Sequence, residues 1–222
     1  MTEKMFDKIA PEYDFLNNII SFFMHKTVKR SAVKCLKIKP FSRILDLCTG
    51  SGDIARIVKD NCLDVEIIGA DISFGMIETA RRKNRDIVFF KENAEKMKFK
   101  SGIFDYVISS FGFRNIKNKN AAIKEIYRVL KPEGLFLHLD FGRKNFFDKI
   151  YNRAVLFFAF IFAKNKDAYK YLIDSKNSFF EPKELIEFFE NAGFEKVCQK
   201  ELCFGIIAFQ IMKKQCCKRN AE

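Results

Sequence analysis

Residues 43–55, RILDLCTGSGDIA, constrain the fold more than any other stretch of the chain. Ile44, Leu45 and Leu47 form a short apolar run of strand type, which breaks into Gly50-Ser51-Gly52 before a helical pattern opens at Asp53. A strand, a glycine turn and a helix in that order form the opening unit of an open α/β sheet. Glycines belong in the turn because the backbone must reverse sharply and let a ligand approach without a Cβ in the way. As a pattern, Gly50-x-Gly52-x-x-Ala55 satisfies the dinucleotide fingerprint, and Asp71 follows at the distance of a ribose-binding acid. The motif alone therefore leaves NAD and S-adenosylmethionine both open. The charges beside the glycines favour one of them. A pyrophosphate needs the bare positive end of a helix, whereas here Asp46 ends the strand and Asp53 opens the helix. Two carboxylates suit a ligand carrying an ammonium and a sulfonium, which points to S-adenosylmethionine as cofactor.

At 222 residues the chain is long enough for one α/β domain with a full core and too short for two. We expect a single domain over 1–212, with 1–40 as a helical N-terminal cap over the ligand side of the sheet and 213–222 as a disordered basic tail. The net charge of +12 is unevenly placed. No Asp or Glu lies between Phe15 and Leu45, where Lys26, Lys29, Arg30, Lys34, Lys37, Lys39 and Arg43 form a basic block. Such a block fits either an anionic surface or a solvated helix face. The aromatic residues include 27 Phe and no Trp, which leaves more exposed apolar area than average to account for and suggests that something apolar docks on the protein. Seven cysteines at scattered spacings, with no CxxC pair, argue for a reducing compartment and against zinc or a disulfide framework. The longest apolar run, 154–163, is about half of what a bilayer requires.

Along the chain, 17–38 suits two amphipathic helices with basic outer faces, and His25 on them is a second-choice catalytic residue. VEIIGAD (65–71) reads as the second strand, and Asp71 at its carboxyl end, with the adjoining Ile72, is placed to hold a ribose diol. Met76, on the following helix, would then lie near the adenine. IVFFK (87–91) is a third strand; Asn93 and the backbone N–H of Ala94 after it can read an adenine edge. A fourth strand, 104–110, runs into a loop carrying Gly112, Arg114 and Asn115 at the same carboxyl edge. Helix 121–130, strand 134–141, an apolar helix 146–163 and helix 182–191 follow. The last two strands, KVCQKEL and FGIIAFQIM, are too close for a crossover and must pair antiparallel. The expected fold is an α/β, Rossmann-like class I S-adenosylmethionine methyltransferase sheet, mainly parallel with a C-terminal antiparallel hairpin.

Several stretches together carry a more specific likeness: MFDKIAPEYDFLN and SFFMHKTVKR near the start, then LDLCTGSGD, GADIS, ENAEKM, ISSFGFRNI, YRVLKPEG, YLIDS, FENAGF and FGIIAF. The chain resembles the UbiE/MenG quinone C-methyltransferases over nearly its whole length; FGFRN and FDxIAxxYD separate that family from methyltransferases in general. The resemblance implies that Ser51, Asp71, Asn93, Ala94 and Ser110 contact S-adenosylmethionine, with Asp46, Gly50 and Gly52 around the turn. It implies a polyprenyl quinol as substrate, demethylmenaquinol or the ubiquinone precursor. A bilayer-borne tail would hold a cytoplasmic enzyme peripherally at the inner face of the membrane, for which the basic N-terminal block and the Phe-rich helix 146–163 give a physical basis. Phe on apolar faces and the lack of a recognised RNA module argue against a nucleic-acid partner. Arg114, supported by Asn115 and Tyr13, is the candidate for stabilising a phenolate on the acceptor ring or positioning a water that takes its proton. Departures from the usual family pattern fall at Val28, Cys203 and Gln210, where relatives usually carry tryptophan, Thr or Ser, and histidine. An O- or N-acceptor methyltransferase and an RNA-binding methyltransferase stand as alternatives, and the oligomeric state, a homodimer included, stays open.

Overall fold

The structure is a computed structural model that describes residues 6–7, 24–62, 64–162 and 166–215, with the side chains of 156–170 outside the description. Its elements are α1 (His25–Cys35), β1 (Arg43–Leu47), α2 (Asp53–Asn61), β2 (Glu66–Asp71), α3 (Phe74–Lys83), β3 (Val88–Lys91), β4 (Phe104–Ser110), α4 (Lys119–Val129), β5 (Leu130–Phe141), α5 (Phe146–Phe162), α6 (Lys166–Asn177), α7 (Pro182–Glu190), β6 (Phe194–Leu202) and β7 (Ile207–Lys214). The strands form one seven-stranded sheet in the order β3-β2-β1-β4-β5-β7-β6. The pairs among β1 to β5 are parallel, and β7 runs antiparallel between β5 and β6. The order reverses between β1 and β4, so their carboxyl ends flank a crevice at the switch point. The expected mainly parallel sheet with an antiparallel C-terminal hairpin is therefore the fold observed.

Alternation along the strands divides the core between the two faces. Ile44, Tyr106, Ile108, Leu137 and Leu139 face one layer with α1, α2 and α3. Leu45, Leu47, Val107 and Phe136 face the other, where α4 and α7 contribute Ile123, Ile126, Leu185 and Phe189. With both faces covered, the central strands read as apolar runs rather than as alternating ones. Helix α1 buries Val28, Ala32, Val33 and Leu36 in the first layer. Helix α1 of the expected N-terminal cap thus covers a sheet face and not the ligand edge, because its apolar stripe is needed to close the core beside α2, whereas Phe6 does reach that edge. Residues 8–23, which hold the other expected helix and Tyr13, lie outside the described residues.

Several boundaries differ from the sequence reading, and β7 continues through Lys213 and Lys214, two residues into the expected disordered tail. Strand β5 starts at Leu130, immediately after α4, and carries Pro132 and Glu133 within it. A register shift between Phe104 and Tyr106 of the paired strand absorbs this stretch, and a bulge is where a proline without an N–H is tolerated. Helix α6 was not anticipated; it and α5 are inserted between β5 and α7.

Candidate active site

A cavity of about 280 Å³ opens at the carboxyl ends of β1, β2 and β4. Its floor is the glycine turn, with Cys48 and Gly50; one wall is Asp71, Ile72 and Met76, and a second is the loop 92–95 with Asn93 and Ala94. Opposite them stand Ser110, Phe111, Gly112, Asn115, Ile116 and Lys117 from the end of β4 and the loop beyond it. Phe6 also lines it. The neighbouring Asp7 accepts hydrogen bonds from Ser73 Oγ (2.6 Å) and the Gly75 N–H (3.0 Å), fastening this part of the N-terminus to the start of α3.

Asp71 is the acidic centre of the cavity. Its Oδ2 accepts from the Gly50 N–H (3.0 Å) and its Oδ1 from the Ser73 N–H (2.9 Å), so one carboxylate fixes both the glycine turn and the β2–α3 turn. Burial pushes its pKa up, and the Ser73, Gly50 and Ile72 amides work against that. Ser110 Oγ is buried with no hydrogen-bond partner among the described residues. A hydroxyl of that kind is satisfied by a polar ligand. The Cys48 thiol is held well above its ordinary value by burial and by Asp71 and Asp46, so it stays a neutral lining group and not a nucleophile.

The turn itself is packed without slack. A Cβ on Gly112 would stand 2.2 Å from Cys48 Cβ, so the loop after β4 closes on the turn only because residue 112 has no side chain. Gly52 has φ 85°, and a Cβ there would meet Asn84 Nδ2 at 2.7 Å and Phe89 at 3.0 Å. That glycine is required by the packing of α2 on α3 and β3, not by the approach of a ligand.

The structure moves several expected residues away from the cavity. Asp46 is 1% exposed, and its Oδ2 accepts from Thr49 Oγ1 (2.5 Å) and the Ala55 N–H (3.1 Å), tying strand, turn and helix together. Burial pushes its pKa up to about 7, against the pull of Thr49 and Lys29. Asp53 points the other way, to Lys29 (3.0 Å), His25 (3.5 Å) and Lys83 (3.5 Å). Burial opposes its ionisation, but the His25 hydrogen bond and the Lys29 and Lys83 charges outweigh it and hold the carboxyl below the usual range. Neither carboxylate lines the cavity, because each is committed inside the protein; the negative wall is made by Asp71, Glu92 and Glu95 instead. His25 is correspondingly a buried partner of Asp53 rather than a residue of the cavity. Ser51 is buried behind the turn, where its Oγ accepts from Lys83 Nζ (3.3 Å).

Arg114 also stands one layer back. Its Nη1 donates to the Phe111 carbonyl (2.6 Å) and to Asp140 Oδ1 (2.8 Å), and the guanidinium lies 5.1 Å from the centroid of Phe141. Asp140 is fully buried; its Oδ1 also accepts the Phe141 N–H (2.8 Å), and its Oδ2 has no partner among the described residues. Asn115 does line the cavity, and its Oδ1 accepts from Tyr171 Oη of α6 (3.1 Å). Sequence reasoning had passed over Asp140, Tyr171 and Phe111. The only sign of Asp140 was its place at the end of a strand, and nothing local marked Tyr171. Val28 and Gln210 are buried, and Gln210 pairs with His138 Nδ1 (2.9 Å) across β5 and β7, so these departures fall in the core behind the site.

Known proteins resemble this chain over nearly its whole length. The model of the ubiE/COQ5 methyltransferase family matches residues 1–214. A demethylmenaquinone methyltransferase from Thermus thermophilus is 36% identical over 93% of this chain and 98% of its own length. The ubiquinone/menaquinone biosynthesis C-methyltransferase UbiE of Haemophilus ducreyi is 34% identical over 94% of this chain and 85% of its own. Among solved structures, a SAM-dependent methyltransferase from Thermotoga maritima superposes with a TM-score of 0.73, covering 97% of this chain and 100% of that one at 23% identity.

Proposed function

The chain belongs to the ubiE/COQ5 methyltransferase family, and on that premise we propose that it methylates a ring carbon of a polyprenyl hydroquinone, demethylmenaquinol in the first place. S-adenosylmethionine is the methyl donor and supplies an electrophilic methyl group on a sulfonium. The residues present fit it: Asp71 offers a half-buried carboxylate to a ribose diol, Asn93 and the Ala94 N–H line the cavity where they can read an adenine edge, with Met76 also lining it, and the Ser110 hydroxyl, without a partner among the described residues, offers one further contact.

The observation that carries the acceptor assignment is the loop after β4. Phe111 and Asn115 line the cavity, while Arg114 behind them is locked to Asp140. A ring carbon becomes nucleophilic when the hydroxyl beside it loses its proton. Phe111 offers a flat apolar face for the ring, and Asn115, fixed by Tyr171, offers its amide to the oxygen. Arg114 places a positive charge just behind them, where a developing phenolate is favoured. Asp140 keeps that charge in one orientation. A bilayer-borne prenyl tail would hold the enzyme peripherally at the inner face of the cytoplasmic membrane.

The test is purified protein with methyl-labelled S-adenosylmethionine and detergent-solubilised quinols of both ring systems. Label on ring carbon is the expected result; label on oxygen or nitrogen, or none, overturns the reading.

A further inference from the structure

The exposed face of α5 is built the wrong way round for a helix that meets only water. Phe146 (70% exposed), Phe147 and Ile150 face outward together with Lys149 and Arg153. The one acid between 143 and 155, Asp148, points inward and is buried in an ion pair with Lys176. A surface helix normally buries its apolar residues and exposes its charges of both signs. Here the exposed stripe is aromatic, aliphatic and basic.

A second element completes this face. Phe204, in the connection between β6 and β7, is 76% exposed and stacks on Phe147 at 4.9 Å with an interplanar angle of 22°. Its φ is 58°, between Cys203 at 52° and Gly205 at 86°. Left-handed backbone at a bulky non-glycine residue is unfavourable, and it persists only where the surroundings impose it. The surroundings are visible: the Gly142 and Arg143 N–H groups donate to the Ile206 and Gly205 carbonyls (both 2.7 Å), and Asn145 Nδ2 donates to the Phe204 carbonyl (2.9 Å). The connection is strapped to the start of α5, and the strap holds a phenyl ring out in solvent.

The inner side of the same helix reaches toward the cavity. Phe111, a lining residue, meets Phe141 at 5.6 Å, and Phe141 meets Tyr151 of α5 at 5.9 Å, one turn from Phe147. Phe41, 85% exposed, lies instead just before β1, at the amino ends of the parallel strands.

We propose that Phe146, Phe147, Ile150 and Phe204, flanked by Lys149 and Arg153, form the surface by which this protein seats on an anionic lipid bilayer. The rings enter the headgroup boundary and the two cations meet lipid phosphates, the division of labour of an interfacial helix. No helix among the described residues is long and apolar enough to cross a membrane. That the seated face delivers a prenyl tail toward Phe111 rests on the quinol reading above; the lipid contact itself does not.

Flotation of the full chain with phosphatidylcholine vesicles, with and without about 30% phosphatidylglycerol, tests this. We expect binding to the anionic vesicles that weakens in high salt. The triple substitution Phe146→Ser, Phe147→Ser, Phe204→Asn should lower partitioning at least about tenfold, asparagine being chosen because it tolerates the left-handed backbone. Phe41→Ser should leave partitioning unchanged, and unaltered S-adenosylhomocysteine binding in the triple variant shows that it is folded. Equal binding by the triple variant, indifference to lipid charge, or loss of binding in Phe41→Ser overturns the proposal. So does a triple variant that changes from dimer to monomer in light scattering while its lipid binding is unaltered, since the patch would then bind a second copy. The detergent-based quinol assay is independent of lipid, so the methylation reading can fail while the docking surface stands, and the reverse.

Discussion

The two halves of the sheet satisfy their buried polar groups in different ways. On the β1–β2 side, Asp71 and Asp46 are held mainly by backbone N–H groups and one hydroxyl: Gly50, Ser73, Thr49 and Ala55. On the β5 side, charge meets charge between side chains, as in Arg114 with Asp140 and Lys176 with Asp148. Asp53 with Lys29 is the exception on the first side, and it joins α1 to α2 rather than shaping the cavity. Backbone groups hold the first kind of carboxylate, and a charged side chain holds the second.

The largest effect should come from breaking the second kind of bond. Asp148→Ala leaves the Lys176 ammonium buried without its carboxylate, and removal of one partner of such a pair costs about 3–5 kcal/mol. Urea unfolding measures this, and adding Lys176→Met should recover most of the loss. No recovery in the double variant would show that the helix pair is held by something else.

The first kind of bond should respond to pH. Asp46 titrates at about 7 in the folded protein and near 4 when unfolded, so the folded state holds a proton that the unfolded state has released. Its contribution to stability is therefore greatest below about pH 4 and is lost as pH rises toward 7, with a slope of up to about 1.4 kcal/mol per pH unit. Asp46→Asn should flatten that slope while leaving the Thr49 and Ala55 contacts in place. Chemical denaturation at several pH values checks it.

Arg114→Ala should reduce turnover on the order of a hundredfold, about 2.7 kcal/mol of transition-state stabilisation, with S-adenosylhomocysteine affinity changed less than about twofold. Parallel losses in turnover and cofactor affinity would place Arg114 on the cofactor side of the site. Asp71→Asn should do the opposite, weakening S-adenosylhomocysteine binding about tenfold in calorimetry through loss of a charged acceptor. The smallest expected effect is Arg56→Ala, which removes half-exposed contacts to Asp60 and Asp86 and should cost under about 1 kcal/mol.

Much of this protein was determined by its sequence alone. The apolar runs in 43–47 and 104–110, the paired glycines and the closely spaced last two strands state the sheet, its parallel core and its hairpin, since strands buried on both faces must be apolar throughout and a short connection allows only antiparallel pairing. Asp71, Asn93, Ala94, Ser110 and Asn115 sit where strand ends predicted them, because open parallel sheets present those ends to one crevice. Tertiary structure decided which way each charge points. Asp46 and Asp53 flank the glycines in sequence, yet one turns into the turn's own backbone and the other toward Lys29, which the chain supplies from a helix before the sheet. Asp140 behind Arg114, Tyr171 on Asn115 and Phe204 on Phe147 were equally hidden, because each pair exists only once separate elements have packed. The turn at 43–55 forms the floor of the cavity; the packing of β5, α5 and α6 around the loop after β4 fixes what stands opposite it.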